Sequence, residues 1–211
     1  DHLSKNPSLL DAVLYSDFYG PLPDADELAR QWQSLGAKEW DVEEQLNGLR
    51  RFRNEKQFQA GVQLLKGMIS AKETGVFLSH LADLMLEHTL QIISGEFEKA
   101  YGKIEHGAFA VIGLGKLGSR ELTFNSDIDL VFVYDAPPDA MSSGEKGLGA
   151  SVFYNRLAQR FVHALSSMER EGRLYEVDTR LRPSGGQGLL AVHIEALEKY
   201  FTESAWTFEF M

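Results

Sequence analysis

Cysteine is absent from the 211 residues. That excludes a disulfide framework and any cysteine–zinc site, and it fits a cytoplasmic protein. There is no apolar run long enough to span a membrane and no secretory leader pattern, so a membrane role is not expected. Basic residues are in deficit: 21 Lys and Arg against 31 Asp and Glu leave a formal charge of −10. A general nucleic-acid binder carries a basic surface, so nucleic acid is not an expected partner. The six histidines, His2, His80, His88, His106, His163 and His193, are scattered without metal-ligand spacing. Apolar residues at 44% and charged residues at 25% are those of an ordinary folded domain. The chain opens on Asp1 rather than methionine, and Ala205 to Met211 look like a helix cut in mid-course. We therefore expect a piece of a longer protein.

The first half reads as helices. Asn6-Pro7 suits a helix start, with Leu9, Leu10, Val13 and Leu14 as its stripe. Gly20-Pro21-Leu22-Pro23 breaks the chain. Asp24 with Glu27 and Asp41 with Glu44 resemble capping boxes. Leu28, Trp32 and Leu35 follow the first. Leu46, Leu49 and Phe52, then Val62, Leu65 and Ile69, follow the second. A third long helix is expected from about Thr74 to about Tyr101. The second half mixes strands and helices. Strands are expected at about Ala108–Ile112, Asp127–Tyr134 and Leu174–Leu181. An amphipathic helix carries Phe153, Leu157, Phe161, Leu165 and Met168. Residues 136–149, rich in Pro, Gly and Ser, read as a mobile surface loop, and a last helix begins near Ile194. The expectation is an α+β chain, with a helical subdomain over residues 1–103 and a mixed-sheet core over 104–211.

Asp127 and Asp129 open the apolar run Ile128-Asp129-Leu130-Val131-Phe132-Val133-Tyr134, just after a glycine turn. Alternate side chains of a strand share a face, so the two carboxylates point one way and Ile128, Leu130, Phe132 and Tyr134 the other. Crowded carboxylates repel, and a bound divalent cation removes that cost. Oxygen ligands suit magnesium, which binds one or two carboxylates together with substrate phosphates. The pattern argues for metal-dependent chemistry on a nucleotide.

Gly113-x-Gly115-x-x-Gly118 after an apolar strand also matches the dinucleotide fingerprint. The spacing rejects it. A parallel crossover needs about a dozen residues or more, and only Ser119 to Ser126 separate the turn from Asp127. The two strands are expected to be antiparallel neighbours. A P-loop is excluded as well, because Lys116 precedes the last glycine instead of following it.

A strand, a Gly-Ser turn and then Asp-x-Asp opening a second strand resembles the nucleotidyltransferase superfamily. The longer runs Gly113-Leu114-Gly115-Lys116-Leu117-Gly118-Ser119-Arg120-Glu121-Leu122, Ser126 to Phe132, and Tyr175-Glu176-Val177-Asp178-Thr179-Arg180-Leu181-Arg182-Pro183-Ser184-Gly185 are similar to the glutamine synthetase adenylyltransferase family. That family pairs two nucleotidyltransferase halves, one attaching AMP to a tyrosine of glutamine synthetase and one removing it. Leu174 to Gly186 and Glu203 to Glu209 resemble the adenylylating half more closely. Ser119, Phe124-Asn125, Thr179, Phe208 and Phe210 depart from its pattern. The resemblance implies Mg2+ and ATP, with glutamine synthetase as protein substrate and control by a PII signalling protein and glutamine. It also implies Asp178 as a third acid beside Asp127 and Asp129. All three would ligate metal, and Asp178 would help deprotonate the attacking tyrosine.

Around those acids, Gly115 and Gly118 would let backbone amides approach a triphosphate. Ser119 would donate to it near a helix start, and Lys116 would neutralise charge or simply sit exposed. Ser126 would orient Asp127 or cap a turn. Arg180 and Arg182 would fork onto phosphate or onto neighbouring carboxylates. The alternatives are the deadenylylating half, which uses phosphate to release ADP, a nucleotidyltransferase acting on RNA or an antibiotic, and an inactive nucleotide-sensing module.

Overall fold

A computed structural model describes residues 16–183 and 188–203. The expected helix start at Pro7, the Ser184–Gln187 segment and the expected helix over 205–211 lie outside the described residues. After a short 3-10 turn, Ser16–Tyr19, come α1 (Ala25–Ser34), α2 (Val42–Leu65) and α3 (Ala71–Tyr101). The second half follows as β1 (Ala108–Leu114), a one-turn α4 (Gly115–Gly118), β2 (Ile128–Asp135) and α5 (Ala150–Ser166), then β3 (Val177–Asp178), β4 (Ala191–His193) and α6 (Ile194–Glu203). The α+β expectation holds.

Caps set the helix starts. Asp24 accepts from the Glu27 amide and Asp41 from the Glu44 amide, each at 2.8 Å. The full reciprocal box stands elsewhere, between Ser70 and Glu73. It starts α3 about one turn earlier than its apolar stripe predicts. Leu49, Phe52, Phe77, Leu81, Leu84, Leu86 and Phe97 are buried as expected. Leu65 is not: it is 90% exposed. The buried face of α2 near its end is instead Gln59, Ala60 and Gln63. Gln59 donates to the Phe18 carbonyl, and Gln63 to those of Phe18 and Gly20, so a polar stripe is satisfied by backbone. Met168 likewise lies past the end of α5 and is 65% exposed.

β2 is the centre of the sheet. β1 pairs with it antiparallel along its whole length, from Ala108 opposite Asp135 to Leu114 opposite Asp129. The antiparallel expectation is therefore met. β3 and β4 share the other edge of β2, both parallel to it, with α5 as the crossover. Ile128, Leu130, Phe132 and Tyr134 face the main core together with Phe153, Leu157, Phe161 and Leu165 of α5. Val131 and Val133 face the opposite way and pack on Leu197 of α6. Both faces of β2 are thus covered. The main core runs without interruption from Leu28 and Trp32 of α1 to Leu174 and Tyr175, on both sides of residue 103.

The third strand is a correction. The expected run Leu174–Leu181 contracts to Val177–Asp178. Asp178 accepts from the Arg180 backbone amide at 2.8 Å, which curls the chain out of the ladder after two residues. Residues 136–149 are also more tied down than their composition suggests. Ser143 donates its amide to the Lys103 carbonyl and Gly144 to that of Tyr101, both at 3.0 Å. Gly102, at φ 74°, and Gly144 meet backbone to backbone: a Cβ on Gly102 would lie 2.2 Å from the Gly144 nitrogen.

Asn155 of α5 holds the outer edge of β4. Its side-chain amide donates to the Ala191 carbonyl and accepts from the Ala191 N–H, each at 3.0 Å, in a buried setting. Asn155→Ala leaves both backbone groups unpaired. Urea unfolding is expected to show a loss of about 2–4 kcal/mol from those two groups.

Candidate active site

Three chain ends meet where β1 stops and β2 and β3 begin. Leu114, the last residue of β1, is paired with Asp129, and Asp129 is paired with Asp178 on the other side. Asp127 is exposed, one residue ahead of β2. The amide of Ile128, between the two acids, donates to the Glu176 carbonyl at 2.9 Å and locks β2 to β3 at this point. Behind β3, Tyr175 is buried beneath the Arg53 guanidinium, 5.1 Å from the ring centroid. Burial pushes its phenol up to about 12, so it stays neutral.

Gly115 follows β1 directly, at φ 53°. A Cβ there would stand 2.2 Å from Asp129 Oδ2. The glycine thus makes room for the Asp129 carboxylate, a function more specific than the phosphate approach expected of it. Gly118 closes the same turn. Its missing Cβ would come within 3.1 Å of the Gly113 carbonyl.

The electrostatics of the three acids differ. Burial, then the negative charges of Asp127 and Asp178, hold the Asp129 carboxyl above the ordinary aspartate range; Arg180 and Lys116 offset part of this. Asp178 lies below its ordinary range, because both its oxygens accept from Arg180, whose Nε sits 3.0 Å from Oδ1 and 2.8 Å from Oδ2. Arg180 itself is mostly exposed, and it also feels Asp127 and Asp129.

The other expected residues fall out as follows. Ser119 ends the one-turn helix instead of starting one, and its hydroxyl donates to Glu121 at 2.9 Å. Glu121 lies beyond that helix. Lys116 is exposed on the turn. Ser126 accepts from the Thr123 amide at 3.1 Å and bonds the Thr123 hydroxyl, so it caps the turn before Asp127. Arg182 turns from the acids to the Thr179 carbonyl and hydroxyl and the Gly188 carbonyl. Of the two arginines, Arg180 alone hydrogen-bonds Asp178, while Arg182 acts on it through its charge. One residue escaped sequence reasoning: Arg120, at φ 63°, pairs with Asp83 of α3 and ties the turn to the helical half. Its backbone conformation left no trace in composition or spacing.

Among the described residues no three acidic or histidine side chains form a ready-made metal-ligand set. Arg180 takes both oxygens of Asp178. The donor chemistry nevertheless suits a hard cation. Asp129 is half-buried, carries excess negative potential from two neighbouring carboxylates, and faces a turn with no side chain in the way.

That potential has a measurable consequence. The folded pKa of Asp129 is raised, so its contribution to stability is full below the ordinary value of 3.8 and is lost as pH rises through the folded value. At neutral pH its ionised form costs stability. Asp178 has the opposite sign: its contribution is present above 3.8 and lost as pH falls through its lower folded value. Millimolar Mg2+ at pH 7 is therefore expected to raise the melting temperature of the chain, and the shift is expected to vanish in Asp129→Asn.

The sequence pattern of a family described as glutamate-ammonia ligase adenylyltransferase matches residues 1–211. The chain belongs to the glutamate-ammonia ligase adenylyltransferase family. A bifunctional glutamine synthetase adenylyltransferase/adenylyl-removing enzyme of Brucella suis biovar 1 is 42% identical over 212 residues, which is all of this chain and 22% of that protein. The protein of the same description from Mesorhizobium japonicum is 42% identical over 99% of the chain and 21% of its own length. One from a Bradyrhizobium species is 35% identical over the whole chain and 22% of its own length. The chain thus spans about a fifth of the adenylyltransferase family members it matches. The family match extends through the helical half, which the quoted motifs did not cover. No helix among the described residues is long and apolar enough to cross a membrane.

Proposed function

We propose that this chain is part of the adenylylating half of such an enzyme, the half that transfers AMP from MgATP to a tyrosine hydroxyl of glutamine synthetase. The tyrosyl oxygen bonds to the α-phosphorus, the bond to the bridging oxygen breaks, and pyrophosphate leaves with the electron pair. The tyrosyl proton passes to a carboxylate of the site. One observation carries the reading: Asp127, Asp129 and Asp178 gather at the adjoining ends of β2 and β3, against a glycine that clears space for Asp129.

Asp127 and Asp129, joined by Asp178, would hold Mg2+, which when bound neutralises phosphate charge. The remaining work is positioning. The Gly115–Gly118 turn presents backbone instead of side chains toward the triphosphate. Ser126 fixes the approach to Asp127, and Lys116 adds positive charge. Arg180 would compete with a bound cation for Asp178, and its guanidinium would be available to fork onto phosphate if released.

The deadenylylating reading uses the same acids with phosphate as the acceptor. The Tyr175-Glu176-Val177-Asp178 run and its resemblance to the adenylylating half favour the first reading. Assaying AMP addition to glutamine synthetase and phosphorolysis of adenylylated glutamine synthetase side by side separates the two. The proposal expects addition; phosphorolysis alone would overturn it.

A further inference from the structure

Away from the carboxylates, α2, α3 and α5 enclose a cleft of about 890 Å³. Arg50 of α2 lines it and is only 3% exposed. A buried guanidinium ordinarily has a carboxylate partner. This one has none at ion-pairing distance among the described residues. Its terminal nitrogens reach Asn47 Oδ1 at 3.2 Å, the Ala164 carbonyl at 3.2 Å and the Ser167 hydroxyl at 3.4 Å, while its Nε is buried with no partner. Burial pushes the guanidinium down from its ordinary range, and the Glu169 charge offsets part of this without reaching ion-pairing distance.

More positive charge borders the same cleft. Arg156, Arg160 and His163 lie at positions i, i+4 and i+7 of α5. Arg160 stacks over the rings of Phe97 and Tyr101, at 5.1 and 5.8 Å, so one wall is flat and apolar. Two acids, Glu43 and Glu169, also border the space; among the described residues neither lies within ion-pairing distance of these arginines, and the Glu169 charge offsets only part of the burial of Arg50. In a chain of charge −10, three arginines around one concave space concentrate positive potential there.

We infer that this cleft is a binding site for a small metabolite bearing an oxyanion, carboxylate or phosphate, which Arg50 neutralises from below while Arg156 and Arg160 hold it at the rim. The volume suits a small molecule with a few convergent polar groups on an apolar wall. The inference does not depend on the chemistry assigned to Asp127, Asp129 and Asp178.

Thermal melting and calorimetry of the chain with inorganic phosphate, and separately with succinate, at chloride-balanced ionic strength, test it. At least one anion is expected to raise the melting temperature saturably, and which one does so assigns phosphate or carboxylate. Arg50→Met keeps the packing volume and removes a buried charge, so it is expected to melt cooperatively and to bind at least about tenfold more weakly. Arg160→Gln, on the exposed rim, provides a second variant should Arg50→Met fail to fold, with weakening expected in the same direction. Asp129→Asn is expected to bind the anion as the parent chain does. No saturable shift with either anion, or equal shifts in the parent and both arginine variants, overturns the inference. Loss of binding in Asp129→Asn alone would place the anion at the carboxylates and also overturn it.

Discussion

Replacing Asp129 with Asn is expected to lower AMP transfer by about 10²–10³-fold without weakening the fold. The catalytic loss follows from removing the central carboxylate of the three, paired with Leu114 on one side and Asp178 on the other. Stabilising charge on a transferring phosphoryl group contributes several kcal/mol, and each ~1.4 kcal/mol is a factor of ten in rate. The fold is spared because Asp129 is the acid whose ionisation the structure opposes: burial and two like charges act against it. A neutral amide of the same shape relieves that repulsion. The melting temperature without metal is therefore expected to stay level or rise while activity collapses. Unchanged turnover would remove Asp129 from the chemistry.

Gly115→Ala is expected to damage the same carboxylate from the other side. The new Cβ would sit 2.2 Å from Asp129 Oδ2, and Gly115 has a φ of 53° that an L side chain resists. The backbone term costs about 1 kcal/mol, and the clash adds to it unless Asp129 moves. Moving Asp129 takes it off its proposed ligand position, so activity is expected to fall at least about tenfold. A double-mutant cycle separates the two terms. In an Asp129→Ala background the clash is gone, and Gly115→Ala is expected to cost only the backbone term. Equal costs in both backgrounds would mean that the glycine serves the turn alone.

Where alternation and spacing decide, sequence and structure agree. The eight residues between the glycine turn and Asp127 cannot hold a crossover helix, and β1 and β2 are antiparallel. Alternation along β2 places Ile128, Leu130, Phe132 and Tyr134 in one core and leaves Asp129 with Val131 and Val133 on the other face. Agreement fails where a side chain bonds to its own backbone. Asp178 captures the Arg180 amide, and the expected eight-residue strand stops at two. Apolar periodicity also overran the helices. Leu65 and Met168 keep the spacing of a buried stripe but stand at or past helix ends, and buried glutamines of α2 take the inner face because nearby carbonyls satisfy them. A pattern of apolar residues has no way to register that compensation.

The site shows the same division. Asp178 pairs in register with Asp129, and Asp129 feels the charges of Asp127 and Asp178, but the motifs do not disclose that Arg180 already occupies Asp178. The guanidinium already neutralises the carboxylate that the proposed reading gives to a metal ion. Neither does the motif distinguish a serine that starts a helix from one that ends a single turn, as Ser119 does.

The most direct test of the account is a crystal of the chain soaked with Mn2+ and a non-hydrolysable ATP analogue, with anomalous scattering used to place the ion. The account predicts a peak bridging Asp127 and Asp129, with Asp178 released from Arg180 and turned toward it. A triphosphate bound with the ion elsewhere, or Asp178 still closed on Arg180 with no ion beside Asp129, would contradict it.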